Sequence, residues 1–542
     1  MCGIAGVFYA DGRKEFAEKW LNETLAHQHH RGPDHTGKYI SKYNNLLFGH
    51  NRLSIVDLSN SANQPMQYQN CVMVFNGEIY NHRTFEDFSY LNDDYAIMKR
   101  SGDTKNLMIS FANRGYDNTL RRANGMYAIA MHPIDMNTIV LSVDPTGQKP
   151  IYYYQSEDEF YFASTPASLY KVKDKWEIDY EALETYWHLG AVIGENQIMK
   201  GIKKVTAGQT IIYNHRSKSI KIEYLPFFQP VNASVDGMKF IIERNIDAVK
   251  DADVPVSIFL SGGIDSTLVA SRFANTNTTA IHLNSPETKY AEFVAKKFGL
   301  NLHVVNPKNY SMDEILTDYV TKSGEPTMAG PIPWIVAKEA IEFAKVAIIA
   351  NGADELFFGY NRLKNDNSEI SNAQDNHLFR GSVFNKNKFK KYRHKYGDKY
   401  SSRMTDLMNF VQYDINRSLD FASMCHSIEM RSPFLATDVI NSALSIPESI
   451  HTSQGNKTIL KEMLWNLGFS KEFTERPKEG FSLTYKPSDT ESLKDVAYKW
   501  CIDNGYLKMD TPNAISDRDK SYLRSSALGF YYFHKIFKDK IK

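Results

Sequence analysis

Val254-Pro255-Val256-Ser257-Ile258-Phe259-Leu260 runs straight into Ser261-Gly262-Gly263-Ile264-Asp265-Ser266. The first stretch is an apolar run of strand length, and the periodicity from Ile264 to Ala274 is helical. Two glycines between them permit a tight turn and a close approach of the backbone. The amides at the start of the helix then face outward as an anion site. Ser261 and Ser266 add hydroxyl donors. Asp265 is out of place beside phosphates unless a cation intervenes, which points to Mg2+. The loop lacks the Gly-Lys-Ser/Thr of a Walker sequence. Outward from it, a helix at Met238–Lys250 precedes the strand. Strands follow near Ala280–Leu283 and His303–Val305, and helices at Tyr290–Phe298 and Pro333–Lys345. Such alternation predicts a parallel α/β sheet. A further strand, Val346–Ala350, leads into Asn351-Gly352-Ala353-Asp354-Glu355. Asp354 therefore falls at the same ligand-binding edge, as a second candidate ligand for Mg2+ and pyrophosphate. Beyond residue 400 the pattern is mostly helical.

The first 200 residues have another texture. Short apolar runs at Leu46–Gly49, Val72–Gly77, Met126–Met131, Thr138–Val143, Ile151–Tyr154 and Phe160–Ala163 are separated by turn signals. They predict stacked antiparallel sheets, with a helix over Lys14–His29. The domain boundary falls between 195 and 235, giving domains of 2–205 and 230–542. Residues 366–400, rich in Asn, Lys and Ser, read as a surface excursion.

Cys2 stands behind the initiator Met. Removal of Met1 would leave a thiol and a free α-amine on one residue. That amine has a reference pKa of about 7.7–8.0, so part of it is neutral near pH 7 and can serve as base for the thiol. Such a thiolate can attack a carboxamide and release ammonia. Arg52, just after a strand, suits a bidentate pair with an α-carboxylate. The Asn76 side chain and the Gly77 N–H suit an oxyanion. Glu78 and Asp103 can accept from an α-ammonium. Each motif alone also reads as a hairpin turn or a solvated charge.

Composition narrows the field. The 64 basic and 63 acidic residues nearly cancel, without the basic excess of a nucleic-acid binder. No run approaches the ~20 apolar residues of a membrane span. Cys2, Cys71, Cys425 and Cys501 form no CxxC pair, which argues against zinc sites and disulfide frameworks and for a cytoplasmic home.

Cys2-Gly3-Ile4, Arg31-Gly32-Pro33-Asp34, Arg52-Leu53-Ser54-Ile55-Val56 and Asn76-Gly77-Glu78-Ile79-Tyr80-Asn81 occur in order, and together resemble the class II glutamine amidotransferase domain. The second half resembles the asparagine synthetase domain through Ser261–Ser266, Gly352-Ala353-Asp354-Glu355-Leu356-Phe357, Ser427-Ile428-Glu429-Met430-Arg431, Gly455-Asn456-Lys457 and Arg476-Pro477-Lys478-Glu479-Gly480-Phe481. The resemblance implies a nucleophile-hydrolase sandwich followed by a pyrophosphatase-type ATP domain. It implies Cys2 as nucleophile, Asn76 and Gly77 as oxyanion hole, and Arg52, Leu53, Ser54, Ile55, Val56, Asn76, Gly77, Glu78 and Asp103 around glutamine. It also implies ATP at Leu260, Ser261, Gly262, Gly263, Asp265, Ser266, Ile349, Ala350 and Lys457, with Mg2+ on Asp265 and Asp354. The expected partners are glutamine, ATP and a carboxylate acceptor, aspartate first; no nucleic acid or membrane is expected, and a homodimer is left open.

The chain departs from the family pattern at Asn351, where an acidic residue is usual, at Ile349-Ala350 for Ser-Gly, at Ala436 for Asp, at Lys105 for Glu and at Thr165 for Glu. An Asn hydrogen-bonds but takes no proton. The alternatives left open are a different carboxylate acceptor such as a sugar acid, an ATP-dependent cyclase or ligase without ammonia transfer, and a glutamine-sensing scaffold with an inactive synthetase half.

Overall fold

The computed structural model describes residues 2–84, 101–226, 228–360, 363, 403–404, 406–477, 487–507 and 517–542. The stretch 366–400, Met1 and residues 478–481 of the Arg476 motif lie outside them.

The first half is a four-layer sandwich. One sheet carries β1 (Gly3–Phe8), β2 (His35–Ile40), β3 (Leu46–Arg52), β8 (Tyr152–Gln155), β9 (Phe160–Ala163) and β10 (Ile202–Lys204), in the order β10-β8-β9-β1-β3-β2. The other carries β4 (Met66–Tyr68), β5 (Cys71–Ile79), β6 (Gly125–Pro133), β7 (Thr138–Val143), β11 (Gln209–Asn214) and β12 (Ser219–Tyr224), in the order β12-β11-β7-β6-β5-β4. All pairings are antiparallel, β1 against β3 placing Gly3 opposite Asn51. Ile4, Phe8 and Phe48 of the first sheet meet Val72, Val74, Ala128 and Leu141 of the second in a shared core. Alternation sends Ala5, Val7 and Leu47 the other way, onto Ala17, Trp20, Leu21 and Leu25 of the helix Lys14–His27. Met73, Phe75 and Ile129 pack likewise on Leu107, Met108 and Phe111 of the helix Asp103–Leu120. A strand such as β1 is covered on both faces, which is why its sequence is apolar throughout rather than alternating. β11 and β12 follow residue 205 yet bond into the second sheet, so that sheet runs past the expected domain end.

The second half holds a five-stranded parallel sheet: β13 (Val256–Phe259), β14 (Thr279–Leu283), β15 (Asn301–Val305), β16 (Val346–Ile348) and β17 (Glu429–Arg431), ordered β15-β14-β13-β16-β17. The chain winds outward from β13 to β15, then reverses through β16 to β17. The reversal lies between β13 and β16, where such a sheet opens a ligand crevice beyond its strand ends. β17 was not legible in the sequence, where this region reads as helical. Helices cover both faces: Met238, Ile242, Leu268 and Val269 on one, Ile315, Leu316, Trp334 and Ile335 on the other. The latter core is continuous with residues of the first half, including Tyr152, Leu169 and Tyr186. Among the described residues no helix is long and apolar enough to cross a membrane.

Two histidines make this packing sensitive to acid. His50 donates to Phe75 O at 3.1 Å and His451 to Ala443 O at 2.9 Å, both fully buried. Burial pushes their pKa values down to about 3 and about 4. Unfolded histidine titrates near ~6.5. Below that pH the unfolded chain binds protons that the folded chain refuses, so stability is lost as pH falls from 6.5 toward 4. The denaturant midpoint should fall steadily between pH 6.5 and 4.5, with each histidine contributing up to about 1.4 kcal/mol per pH unit. A midpoint equal at pH 7 and pH 5 would contradict this.

Candidate active sites

Cys2 lies just before β1, 8% exposed, where the ends of β3 and β5 converge. The Cys2 backbone N donates to Asn76 Oδ1 at 2.8 Å. The other atom of that amide, Asn76 Nδ2, is buried with no hydrogen-bond partner among the described residues. Burial pushes the Cys2 thiol up, so the thiolate is not the resting form near neutrality. Arg52, Leu53, Ile55, Val56, Gly77, Glu78 and Asp103 line the pocket with Cys2. Ser54 does not; its amide donates to Asp34 Oδ2 at 2.7 Å. The cavity is small, about 30 Å3. Arg52 is held by Ser59 O at 2.9 Å, Asn63 Oδ1 at 2.8 Å and Asp57 O. Asp103 accepts from Ile79 N at 3.1 Å and Thr104 N at 2.7 Å. At Gly77 any side chain would overlap the Met126 carbonyl, so β5 and β6 can pair here only around glycine.

The pocket has a wall from the other half of the chain. Glu429 of β17 lines it, and Arg431, two residues on and on the same face, reaches Glu78 at 3.0 Å and Glu429 at 2.7 Å. Arg431 also donates to the carbonyls of Val249 and Asp251. Burial, with Asp103 nearby, pushes the Glu78 carboxyl well above the usual carboxylate range. Glu429 is held below the usual carboxylate range against burial, first by the positive charge of the N-terminus and next by Arg431. Glu78, expected to meet only a ligand's ammonium, is thus also an anchor between the halves. Arg31 makes a second anchor: it donates to Cys2 O at 3.1 Å and pairs with Asp420 at 2.9 Å, both side chains buried. Asp34 meets Lys345 at 2.8 Å. Gln64, which lines the pocket and clasps both polar groups of Phe75, had no signal in the sequence. Glu429 and Arg431 did have one, the Ser-Ile-Glu-Met-Arg run, but nothing in it says which half they serve.

The second site lies at the β13/β16 reversal. Gly262, at φ 81°, turns the chain after β13; a Cβ there would meet Ala291 N at 2.9 Å. Ser261 Oγ and Ser266 Oγ are 2.9 Å apart and brace the loop. Asp265 lies in the first turn of the helix Ile264–Ser271, and Asp354 in the first turn of Ala353–Leu356. Adjacent parallel strands thus deliver both carboxylates to one edge. Lys457 bridges them, its Nζ 2.5 Å from Asp265 Oδ2 and in contact with Asp354 Oδ1. Against burial, the two carboxylates hold the Lys457 ammonium protonated well above the usual lysine value. Gly263, Asp265, Asp354 and Lys457 line a cavity of about 600 Å3, with Lys461 and Arg476 across it. Leu260, Ser261, Gly262, Ser266, Ile349 and Ala350 lie outside its lining. Arg476 packs 3.8 Å over the Tyr290 ring and 4.4 Å over Phe473, and donates to Gly262 O at 2.6 Å. Asn351 accepts from Ser432 Oγ through its carbonyl at 2.5 Å, while its buried Nδ2 has no partner among the described residues.

A cysteine bonded to the Asn76 amide and a carboxylate pair beside a phosphate-type loop therefore share one chain. Comparison with known proteins agrees. The family description "Glutamine amidotransferase domain" matches residues 1–225, and "Asparagine synthase" matches residues 242–536. A Methanocaldococcus jannaschii protein named putative asparagine synthetase (glutamine-hydrolyzing) 2 is 30% identical over 401 residues, covering 66% of this chain and 76% of the relative. The Bacillus subtilis asparagine synthetase (glutamine-hydrolyzing) 1 is 27% identical and covers 92% of this chain and 89% of its own. The amidase chry2 of Gibberella zeae is 25% identical, over 68% of this chain and 60% of the relative. The two matched regions follow one another along the chain as the sandwich and the parallel sheet do, and the chain belongs to the glutamine-hydrolysing asparagine synthetase family.

Proposed function

We propose that the chain hydrolyses glutamine at Cys2 and uses the ammonia to amidate a carboxylate activated by ATP. The observation that carries the first half is the Asn76 amide. Its oxygen holds Cys2, and its nitrogen is a buried donor with no partner among the described residues. An unmet donor beside a nucleophile suits the oxyanion formed when Sγ adds to the glutamine amide carbon. Ammonia leaves with the thiol's proton, and water then cleaves the thioester to glutamate. Arg52, Glu78 and Asp103 orient the amino-acid head group.

In the second half, an acceptor carboxylate oxygen bonds to the α-phosphorus of ATP and the bond to pyrophosphate breaks. Ammonia then bonds to the acyl carbon, AMP leaves, and the nitrogen loses its proton. Asp265 and Asp354 are hard oxygen donors brought together at the cavity edge, and fit Mg2+ shared with phosphates. When bound, the ion would neutralise charge on the departing pyrophosphate. Lys457, Lys461 and Arg476 supply positive charge across the same cavity.

Aspartate, giving asparagine, is the first acceptor in this reading. Asn351 favours a second one. An amide donor there cannot take a proton from ammonia but can bind an acceptor's oxygen, so a carboxylate other than aspartate suits the site. The test is a panel of carboxylates scored for AMP and pyrophosphate release with glutamine or ammonium. Turnover with aspartate at ordinary enzymatic rates would remove the second reading. No ATP turnover with any acceptor would remove the synthetase reading and leave a glutamine-binding scaffold.

A further inference from the structure

Lys457 is expected near phosphates, yet it sits on the two carboxylates instead. This is a built contact. Its side chain and that of Asp265 are 7% and 8% exposed, and Asp354 is 23% exposed. Lys457 adopts a left-handed backbone conformation, φ 57°, at the start of the helix Thr458–Asn466, a cost a lysine accepts only when its surroundings fix it. Those surroundings are the turn that carries Asp354. Lys457 N donates to Phe357 O at 3.0 Å, Asn456 Nδ2 to Gly359 O at 3.2 Å, and Gly359 N to Asp354 O at 2.7 Å. A side chain at Gly359 would overlap both Asp354 Oδ1 and Lys457 Cε.

We infer that the Lys457 ammonium is the resident cation of the Asp265–Asp354 pair, and that it keeps free divalent metal out until the phosphates of a nucleotide arrive with the metal and draw the ammonium onto themselves. This rests on the proposed ATP reaction. Three arguments carry it. The ammonium already fills the space between the oxygens a metal would use. An ammonium and a divalent ion a few ångströms apart in a buried site repel strongly unless further negative charge joins them, and a triphosphate brings that charge. The protein alone also offers too few ligands: among the described residues no three His, Cys, Asp or Glu side chains form a metal-holding group. Mg2+ bound by one or two carboxylates completes its shell with water and substrate phosphates.

The experiment uses the full chain and Mn2+ as probe, counted by electron paramagnetic resonance, with and without a non-hydrolysable ATP analogue. Wild-type protein without nucleotide should bind Mn2+ no more tightly than Asp354→Asn, and should take up one Mn2+ with the analogue. Lys457→Gln should bind free Mn2+ about 100-fold more tightly than wild type, in line with removing one nearby positive charge. The double variant Lys457→Gln with Asp354→Asn should lose that gain. Wild-type protein that binds free Mn2+ more tightly than Asp354→Asn overturns the inference. That comparison stands even if Lys457→Gln fails to fold. Equal free-Mn2+ affinity in Lys457→Gln and wild type overturns it as well. No Mn2+ uptake with the analogue overturns the ATP reading itself, and so is told apart from failure of the lysine's role.

Discussion

Cys2→Ala should stop ammonia release from glutamine, by about 10^4-fold or more, the loss typical of removing a nucleophile whose partners act with it as a unit. The same variant should keep amidating its acceptor when an ammonium salt replaces glutamine. The geometry separates the two outcomes. Cys2 bonds to Asn76 and Arg31 and lines the small pocket, whereas the 600 Å3 cavity is lined from residue 263 onward. Alanine removes Sγ but leaves the Cys2 backbone N on Asn76 and its carbonyl on Arg31. The anchor to Asp420 therefore persists and the fold with it. Assays of glutamate formation and of ammonium-supported AMP release check both halves. Loss of both activities in a folded protein would refute two separate sites.

Asp265→Asn should have the mirror effect: pyrophosphate release down about 10^3-fold, the scale of losing one electrostatic contact to developing charge, with glutamine hydrolysis within a few-fold of normal. The amide keeps the side chain's size in the helix's first turn but removes its charge. It leaves Lys457 with Asp354 alone, so the ammonium's balance and the proposed metal seat change together. Pyrophosphate release and glutaminase activity, measured on one preparation, are the readout. Undiminished pyrophosphate release would place the metal elsewhere.

The fold was legible where local pattern and tertiary environment agree. Thr138–Val143 and Phe160–Ala163 are apolar runs bounded by turns, and are strands with those bounds. The helix expected to His29 ends at His27, because the next four residues tighten into a 3-10 turn that aims Arg31 inward. β17 was not legible: three residues, two of them charged, look like surface. They are buried because each charge finds an opposite charge in three dimensions, and pairing across a chain separation of 353 residues leaves no periodicity to read. The site divides the same way. Cys2, Arg52, Asp265 and Asp354 stand at strand ends or helix starts, positions that sequence marks, and Asn76 lies inside β5 where the apolar run ends. Gln64 enters the pocket by folding alone, and the motif that carries Glu429 does not say which half it serves. Lys457, expected at the phosphates, pairs with Asp265 and Asp354.

The buried pairing of Arg431 with Glu78, and of Asp420 with Arg31, bears on how such a chain can change its chemistry over time. The first 225 residues are not a portable cartridge. Cut away, they would offer Glu78 and Arg31 to water and lose the Glu429 side of the cysteine's chamber. A replacement for the second half therefore has to keep strand 429–431 with its Arg431, whereas residues 349–351 follow β16, one strand inward, and make neither buried pair.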